Sequence, residues 1–372
     1  MTKIIDIVKR VYSGGTPDTR KNDYWNGNIK WLSSGETRNN FIYDTDKKIT
    51  ELGVTNSSTK LALKGSIVMA CAGQGFTRGQ TSYLMDDMYI NQSVICIEPD
   101  ENMVDGLYLY YFFKNNYQLL RTLSDDHSSR GSITTAMIKE FEVDFPDISV
   151  QKRISSLLYS LDQKIELNNK INNNLYEVSK QLLLKYLDEN SNSEEVNISE
   201  LLNVFTGKKN ANETSPTGKY KFFSCAPESL LSDTYLYDGA AIIVAGNGAY
   251  TGRTRFYDGK FELYQRTYGL TLKDGFDKDN IYGLYVFMKT IFEPDKMGGT
   301  HGSAIPYIVL SDLTDYKLKY NKIEFDKFSN LVSSNIKMTQ ENEKSNEELS
   351  QLRDTLLPKL MNGELDLDNM KI

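Results

Sequence analysis

The 372-residue chain carries the same pattern twice. The segment GSIVMACAGQGFTRGQTSY at 65–83 aligns with GAAIIVAGNGAYTGRTRF at 239–256 at an offset of 173, which matches AGQG with AGNG and GQT with GRT. Two segments of helical character, 154–183 and 328–357, align at an offset of 174. Long internal repeats indicate repeated structural units. Each half of the chain is therefore predicted to hold one globular domain followed by one long helix.

The globular segments are predicted at residues 1–146 and 191–321. They carry short β-branched and aromatic runs such as SIVMACA and AAIIVAG, interrupted at close spacing by Gly, Asn and Asp. That pattern is typical of strands joined by turns. One helix is expected inside each segment, over 106–116 and 282–291. Both domains are therefore predicted to be strand-rich and of mixed type.

The remaining segments, 147–190 and 322–372, are predicted to be the central and the C-terminal helix of a coiled coil. In the first of them apolar residues recur in alternating steps of four and three, and neither Gly nor Pro interrupts the run from Val150 to Leu187. This spacing is typical of a coiled-coil seam. The predicted seam residues are Ile154, Leu158, Leu161, Ile165, Leu175 and Leu182.

Polar residues occupy the middle of the predicted seam. Asn168 and Asn172 continue its spacing, and Asn342 and Asn346 stand at the matching places of the second helix. Such Asn pairs fix the register at a cost in stability, because only one alignment lets the amides bond to each other. The predicted fold class is thus α+β, with two similar strand-rich globular domains joined by two long helices that form an antiparallel coiled coil with pseudo-two-fold symmetry.

The net charge of −7, from 43 basic and 50 acidic side chains, limits how the chain could bind nucleic acid. Phosphate affinity comes from Lys and Arg, and none of the four predicted segments is basic overall. DNA binding would need cations sorted onto one face, or a partner that supplies most of the phosphate contacts. No apolar run approaches the ~20 residues of a membrane span and no targeting leader is evident, so a soluble cytoplasmic protein is expected.

Side chains suited to catalysis are scarce. The chain has three cysteines without CxxC spacing and two histidines, which argues against a zinc site and excludes a His-rich metal centre. No Walker A loop is present. The acidic pairs Asp86-Asp87 and Asp125-Asp126 lack a metal-ligand context and are predicted to be solvated turns. Neither a metal site nor a catalytic residue is predicted.

The segment AGQGFTRG at 72–79 allows two interpretations. A phosphate-binding or S-adenosylmethionine-binding loop would need a helix after it and an acidic residue about 20 residues on, whereas the residues that follow, TSY, suit a second strand. We predict a hairpin whose Arg and Gln side chains, which can bond bidentately to base edges, reach DNA; the alternative is that they are solvated loop residues. The candidate contacts are Arg78, Gln80 and Thr81, with Arg253, Thr254 and Arg255 in the second copy.

Two further stretches, HSSRGS and GGTHGS, place a cationic or imidazole side chain directly before a Gly-Ser pair. Such a stretch can follow a phosphate or reach a base, with backbone amides as additional donors. The candidate contacts are Arg130 and Ser132 in the first domain, and His301 and Ser303 in the second. A structural role is the alternative for His301. Lys208 and Lys209 are candidate phosphate clamps.

Two heads on a stiff helix pair suit a partner with two separated binding segments. DNA repeats its major groove every ~34 Å, so proteins that read two segments hold two modules at a fixed distance. Because the two heads are similar in plan and different in detail, we expect them to read two different half-sites.

Three segments resemble a known family. SGGTPDTRKNDYWNGNIKWLSSGE at 13–36 resembles the opening signature of a target recognition domain in the specificity subunit of type I restriction-modification systems. QKRISSLLYSLDQKIELNNKINNNL at 151–175 and LRDTLLPKLMNGELDL at 352–367 resemble the central and C-terminal conserved helices of that family. The second domain departs from the pattern, since it carries GKKN and KYKFFS in place of GGTP and WLSSGE.

The resemblance implies a non-catalytic subunit with two target recognition domains, each of which reads one half of a bipartite, gapped site in double-stranded DNA. It implies that two DNA methyltransferase (M) subunits bind the helices and that restriction (R) subunits can join the assembly. No cofactor is expected on this chain, because S-adenosylmethionine would be bound by the M subunits. The NPPF or DPPY motif of an adenine methyltransferase is indeed missing here.

The resemblance also directs attention to particular side chains. In the opening signature the aromatic residues are predicted to anchor the loops, and the polar residues left to contact DNA are Thr16, Arg20, Lys21, Ser33 and Ser34. Near the end of the second helix, four apolar residues are expected to be exposed and to dock the M subunits, unless they only complete the coiled coil. They are Leu356, Leu357, Leu360 and Met361.

Two rival functions remain open at this point. The chain could be a non-enzymatic coiled-coil adaptor whose twin β-rich heads bind carbohydrate or protein, which the acidic balance favours. It could also be a nuclease or methyltransferase that acts alone, although the missing motifs argue against this.

Overall fold

The structure is a computed structural model. The residues that it describes are 2–73, 75–125, 131–292 and 307–365. The chain divides into two compact units: unit 1 comprises Met1–Ile165 and Glu348–Ile372, and unit 2 comprises Glu166–Glu347. Each unit contains one globular head and a part of each of the two long helices.

The head of unit 1 is built of short strands and short helices. In chain order its elements are β1 (Thr2–Lys3), α1 (Ile4–Ile7), β2 (Val8–Ser13), β3 (Trp25–Leu32), β4 (Phe41–Ile42), β5 (Lys47–Ile49), α2 (Glu51–Thr55), β6 (Lys60–Ala62), β7 (Ile67–Ala70), β8 (Thr81–Leu84), β9 (Met88–Ile90), β10 (Val94–Pro99), α3 (Gly106–Asn115), α4 (Tyr117–Asp125), α5 (Thr135–Glu140) and β11 (Glu142–Val143). Two turns of 3₁₀ helix, Asn22–Tyr24 and Ser34–Arg38, flank β3.

The first long helix is followed by the second head and the second long helix. These elements are α6 (Ile148–Glu189), β12 (Glu195–Asn197), α7 (Ile198–Leu201), β13 (Leu202–Thr206), β14 (Tyr220–Phe223), β15 (Leu230–Ser232), β16 (Tyr237–Ala245), β17 (Thr254–Leu263), β18 (Thr267–Leu272), α8 (Asn280–Ile291), α9 (Leu310–Thr314), β19 (Lys317–Lys319) and α10 (Lys322–Met361).

Two sheets organise the first head, one with the strand order β2-β10-β7-β8-β4 and the other with the order β5-β3-β9-β6. Strand β7 is buried throughout and alternates between two apolar clusters. Ile67 and Met69 pack with α3 and the long helices, whereas Val68 packs with Leu32 and Ile90 of the second sheet. Side chains of a strand alternate between its faces. A strand buried on both faces therefore has an unbroken apolar sequence, which is IVMA in β7.

The second head has one larger sheet, with the strand order β13-β18-β16-β17-β14-β15, and it too contains a strand that is buried on both faces. Its β16 also alternates between two clusters. Ile242 and Val244 pack with α8 and the long helices, while Ile243 packs with Phe223 and Phe261. The predicted α+β class, with two strand-rich heads and two long helices, is thus confirmed.

The long helices are antiparallel to each other inside each unit. In unit 2 the Asn168 carboxamide donates to Asn346 Oδ1 and the Asn342 carboxamide donates to Asn172 Oδ1, both over 2.8 Å. The residue number on α10 falls as the number on α6 rises, which is the sign of an antiparallel pair.

The buried face of α6 agrees only in part with the predicted seam: Ile154 and Leu158 are buried, as predicted. Leu161, Ile165, Leu175 and Leu182 are only half-buried. The buried positions on this helix include Asp162, Asn168, Ser179, Leu183 and Tyr186. The difference arises because each head also packs on the helices: Leu183 and Tyr186 belong to the core of unit 2. A helix that packs against both a core and another helix buries a wider stripe than a coiled-coil seam.

Two absences apply to the described ranges. Their helices include none with the length and apolar content needed to cross a bilayer. The same ranges hold no group of three or more His, Cys, Asp or Glu side chains placed to bind a metal ion.

Candidate nucleic-acid interface

The two tryptophans of the opening signature hold its loop in place. Trp31 Nε1 donates to Gly15 O and Trp25 Nε1 donates to Asp18 O, both over 3.2 Å. The two indole rings meet edge to face, with centroids 5.0 Å apart and planes at 88°. Buried indole N–H groups normally find an acceptor. Here the acceptors are backbone carbonyls of the turn-rich segment, so the rings order the loop.

The Gly14-Gly15 pair allows this loop to lie against β9. Gly15 N donates to Ile90 O over 3.1 Å. A Cβ atom on Gly14 would fall 1.9 Å from the same carbonyl oxygen, and a Cβ on Gly15 would fall 2.0 Å from Ser58 Oγ. No larger residue fits at either position without backbone movement. The signature is therefore explained by close backbone approach.

The ordered loop borders a surface cavity of about 530 Å³. Its lining combines an indole ring, a carboxylate, amide side chains and two lysines, of which the amides and lysines are groups that bond to DNA. The lining residues are Thr19, Asn22, Trp25, Asn26, Gly27, Asp46, Lys47 and Lys48. Lys47 Nζ lies 5.9 Å from the centroid of the Trp25 ring. Asn26 adopts the left-handed conformation, with φ of +60°.

Two of the five polar candidates in the signature bond through their side chains to neighbouring residues of the head, and a third, Ser34, does so through its backbone carbonyl. The Thr16 hydroxyl hydrogen-bonds to Gln92 Oε1. Ser33 Oγ lies 3.0 Å from Glu36 Oε2 at the start of a 3₁₀ turn. The Ser34 carbonyl accepts a hydrogen bond from Thr37 Oγ1.

The remaining two candidates project into solvent. The Arg20 side chain is 88% exposed and forms an ion pair with Asp18 over 3.0 Å. The hydrogen bond from Arg20 lowers the pKa of the Asp18 carboxyl to about 2. Lys21 is exposed, and its Nζ lies 3.1 Å from the Tyr24 hydroxyl. Both cations are on the surface, where a phosphate could replace the present partner.

In the second head the two predicted clamp lysines have different surroundings. Lys208 is exposed. Lys209 Nζ donates to Ser232 Oγ and Thr234 Oγ1 over 3.1 and 2.6 Å, and lies 3.5 Å from the buried Glu262 carboxylate. Lys209 is therefore engaged inside the head.

The AGQGFTRG segment joins two antiparallel strands, β7 and β8. Gly79 N donates to Ala70 O over 2.9 Å, and Ala70 N donates to Gln80 O over 3.0 Å. Gly79 has a φ of +86°, in the left-handed region that favours glycine. The segment is thus the loop of a hairpin, without the strand-to-helix geometry of a phosphate-binding loop.

The corresponding loop between β16 and β17 is closed in the same way. Gly252 N donates to Ala245 O and Ala245 N donates to Arg253 O, both over 2.9 Å. Gly252 has a φ of +85°. The hairpin is therefore repeated, but the bonds match Ala245 with Ala70 and not with Ala72 as the alignment does, so the second loop is two residues shorter.

Several predicted contacts in these hairpins point inward, which corrects the expectation that they extend from the turn. Arg78 is 5% exposed, and its Nη2 lies 2.5 Å from Asp125 Oδ1. Thr81 and Thr254 are buried, and their hydroxyls donate to the carbonyls of Gly79 and Gly252. These three side chains stabilise the hairpins.

The other hairpin candidates are partly accessible. Gln80 and Arg253 are half-buried. The guanidinium carbon of Arg255 lies 5.7 Å from the centroid of the Phe223 ring, and the group donates to Ala226 O. Burial, followed by the nearby Arg253, lowers the pKa of Arg255 to about 10. Arg253 and Arg255 are thus both partly accessible.

The tips of the hairpins carry aromatic rings that the sequence interpretation missed. Phe76 is 81% exposed and Tyr250 is 44% exposed. The available signal was an aromatic residue within a glycine-rich turn in both copies.

A cationic groove in the first head was also missed. It has a volume of about 720 Å³, and its lining mixes cations with apolar side chains. The lining residues are Ile5, Lys9, Arg10, Val11, Tyr12, Lys60, Leu61, Leu63 and Lys139. Its cations come from three distant parts of the sequence, so only folding brings them together.

The Gly-Ser candidates are only partly described. Ser132 Oγ donates to Cys71 O over 3.3 Å. Arg130, His301 and Ser303 lie outside the described residues.

The apolar residues near the end of α10 do not form an exposed patch. Leu357 and Leu360 are 6% and 2% exposed and belong to the core of unit 1. Leu356 and Met361 are half-buried against the same core. The expectation of exposure is wrong for this set, because the head packs on the end of the helix.

The chain was compared with known proteins. A family model described as "Type I restriction modification DNA specificity domain" matches residues 1–177 and again residues 190–345. The MjaIX specificity subunit of Methanocaldococcus jannaschii is 24% identical over 411 residues, covering 99% of this chain and 94% of the relative. The EcoDI specificity subunit of Escherichia coli is 30% identical over 178 residues, covering 46% of this chain and 38% of the relative.

A solved structure shows the same fold. The S subunit of a type I restriction-modification system from M. genitalium superposes with a TM-score of 0.62 at 16% identity, covering 96% of this chain and 95% of that chain. The two matches of the family model together span most of the sequence, one for each head. The chain is therefore a member of the type I restriction-modification DNA specificity family.

Proposed function

We propose that this chain is the sequence-specific DNA-recognition subunit of a type I restriction-modification complex. Each head would read one half of a bipartite, gapped site in double-stranded DNA. The observation that carries the proposal is the hairpin built twice with the same backbone bonds, at Gly79 and at Gly252, in a chain that the family model matches twice. A two-stranded hairpin fits the width of the major groove.

The surface cations of the heads support this role despite the acidic total. In the first head Arg20 and Lys21 are exposed, and Lys9, Lys60 and Lys139 line one groove. In the second head the accessible cations include Lys208 and Arg253. Contacts of Lys and Arg to phosphates position a protein on the duplex, whereas base-edge contacts carry specificity.

The two heads would read different sequences, because their corresponding surfaces differ. The first head presents the GGTP loop and the tryptophan-lined cavity, whereas the second carries GKKN, with Lys209 bonded inside the head. The hairpin tips also differ, with Phe76 in one and Tyr250 in the other. The half-sites are therefore expected to be unrelated in sequence.

The chemistry would belong to partners. We propose that this chain is non-catalytic, that two DNA methyltransferase subunits dock on the long helices and bind the S-adenosylmethionine, and that restriction subunits can join them. In unit 2 the outward faces of the helices carry uncovered apolar residues. Leu331 and Met338, seven residues apart on α10, are 64% and 48% exposed, and Leu167 and Val178 on α6 are 51% and 54% exposed. Exposed apolar faces of this kind favour a protein partner over solvent.

The test is a map of methylated adenines across the genome of cells with and without this protein. A bipartite motif that disappears on deletion is the expected result. Exchange of residues 1–146 for the corresponding domain of a relative should then change one half of the motif and leave the other intact.

Two results would contradict the proposal. A change in both halves after the exchange would show that the heads do not act separately. Undetectable DNA binding at low salt, even with methyltransferase subunits added, would favour the adaptor alternative.

A further inference from the structure

The hairpin tip of the first head presents an aromatic ring directly to solvent. Of the large apolar side chains in the described ranges, Phe76 is the most exposed, at 81%. An exposed phenyl ring gains little from burial in the folded monomer and is available to a partner surface.

The backbone beneath Phe76 is held by two side chains of α4. The Tyr117 hydroxyl donates to Phe76 O over 2.7 Å, and Arg121 Nη1 donates to Gly75 O over 2.5 Å. Arg121 Nη1 also lies 2.9 Å from the Tyr117 hydroxyl. The backbone that carries the ring is therefore held in place. A contact made by a group already ordered loses less entropy on binding.

The hairpin of the second head also carries an aromatic residue at its tip, but at a different position in the loop. Gly75 and Gly248 correspond in the repeat and both are left-handed, with φ of +70° and +83°. Phe76 follows Gly75 directly, and Tyr250 follows Gly248 by two residues. Tyr250 is 44% exposed, and the Arg253 guanidinium carbon lies 5.6 Å from its ring centroid. Each head thus presents an aromatic ring beyond the closed base of its hairpin.

We propose that Phe76 is a specificity-determining contact of the first head and packs against the 5-methyl group of a thymine in the major groove. This inference rests on the proposed function. The inward position of Arg78 and Thr81 removes two hydrogen-bonding candidates from this hairpin, which leaves the half-buried Gln80 and the exposed Phe76. Apolar side chains, including Phe, recognise thymine through its methyl group. Tyr250 would make the analogous contact in the second half-site.

The experiment uses the full chain assembled with its methyltransferase subunits and a duplex that carries the bipartite motif found by methylation mapping. Each thymine of the first half-site is replaced in turn by uracil, which removes only the methyl group. One replacement is expected to weaken binding by wild-type protein about three- to tenfold.

Substitution of Phe76, combined with the replacement of thymine by uracil, gives a double-mutant cycle. Phe76→Ala should weaken binding to the thymine duplex by a similar factor and show no further loss at the sensitive position, because the contact is already absent. Phe76→Ile, which retains an apolar side chain, should keep part of the methyl dependence. Met103→Ala removes another exposed apolar side chain of the same head, 52% exposed, and should behave as wild type.

Two outcomes would overturn the inference. One is that the wild-type complex binds its motif but no single replacement of thymine by uracil weakens the binding. A first half-site that contains no thymine would count as the same result. The other is a Phe76→Ala variant that keeps the full methyl dependence. Failure of the wild-type complex to prefer any motif would instead refute the proposed function. Because the ring is exposed, the unfolding temperatures of the variants should match that of wild type.

Discussion

Asn342 and Asn172 face each other across the two long helices of unit 2, with Asn342 Nδ2 2.8 Å from Asn172 Oδ1. About one helical turn away, Asn168 Nδ2 bonds to Asn346 Oδ1 over the same distance. The two bonds form together only in one antiparallel register. A shift of either helix along the other would separate these amides from their hydrogen-bond partners. An amide that lacks a partner and is shielded from water lowers the free energy of unfolding.

Removal of one amide of a pair should therefore lower the free energy of unfolding more than removal of both amides. Asn342→Leu leaves the half-buried Asn172 without its donor and should lower the free energy of unfolding by about 0.5–1.5 kcal/mol. The double variant Asn172→Leu with Asn342→Leu should recover part of that loss through apolar contact. Urea unfolding measures both values.

The exposed Asn173 provides a matched control. Asn173→Leu should change the unfolding free energy of the chain by less than about 0.5 kcal/mol. Equal losses in the single and the double variant would show that the pair does not act through its hydrogen bond.

A buried ion pair links the helices in unit 1. Arg353 Nη1 lies 2.5 Å from Asp162 Oδ1, and the Tyr111 hydroxyl donates to Asp162 Oδ2 over 2.7 Å. The Asp162 side chain is 3% exposed. Arg353→Met should destabilise the unit by about 3–5 kcal/mol, because it leaves a buried carboxylate without its cation.

Thermal or urea unfolding of the purified chain tests this expectation, with Lys359→Met as the control, since Lys359 is exposed on the same helix. Asp162→Leu combined with Arg353→Met should be less destabilised than Arg353→Met alone. The interpretation would be refuted if the single variant were as stable as the control.

Lys114 makes the stability of unit 1 depend on pH. Its ammonium donates to Asn40 Oδ1 over 3.0 Å, and burial lowers its pKa to about 8, whereas an unfolded lysine titrates near 10.4. Between these values the unfolded chain binds more protons than the folded one, so stability should rise as the pH increases from about 8 to about 10.4.

The rise attributable to Lys114 should be about 3 kcal/mol and should be absent in Lys114→Met. The difference between wild type and variant, measured by urea unfolding at a series of pH values, removes the contribution of the tyrosines. Parallel pH profiles would show that Lys114 titrates normally.

The cationic groove of the first head should determine part of the salt dependence of DNA binding. If Lys9, Lys60 and Lys139 each contact a phosphate, their replacement by Gln should make the slope of log K against log salt less steep by about 2–3. Sequence preference should be unchanged, because phosphate contacts carry no base information.

Fluorescence anisotropy of the assembled complex on labelled duplex, at several salt concentrations, gives the slope. The control variant replaces three exposed lysines of the long helices, Lys152, Lys164 and Lys359, by Gln. If the slope of log K against log salt were identical in wild type and groove variant, the three lysines of the groove would not contact DNA phosphates.

Much of the architecture follows from patterns in the sequence. The offset between AGQGFTRG and AGNGAYTG predicted two hairpins, and both have the same backbone closure. The helices expected at 106–116 and 282–291 are present as α3 and α8. These features depend on neighbours in the chain, where turn residues and apolar periodicity act locally.

The placement of individual side chains depended on contacts across the fold. Arg78 turns inward because Asp125, 47 residues away, pairs with it, and Phe76 points outward because Tyr117 and Arg121 hold its backbone. Leu357 and Leu360 are covered by a head whose chain ends some 200 residues earlier. Periodicity encodes which face of an element is apolar, but burial requires a partner, and the partners here are remote in the sequence. The sequence by itself therefore predicted the repeated architecture. Tertiary packing determined which of the candidate side chains are exposed and which are buried.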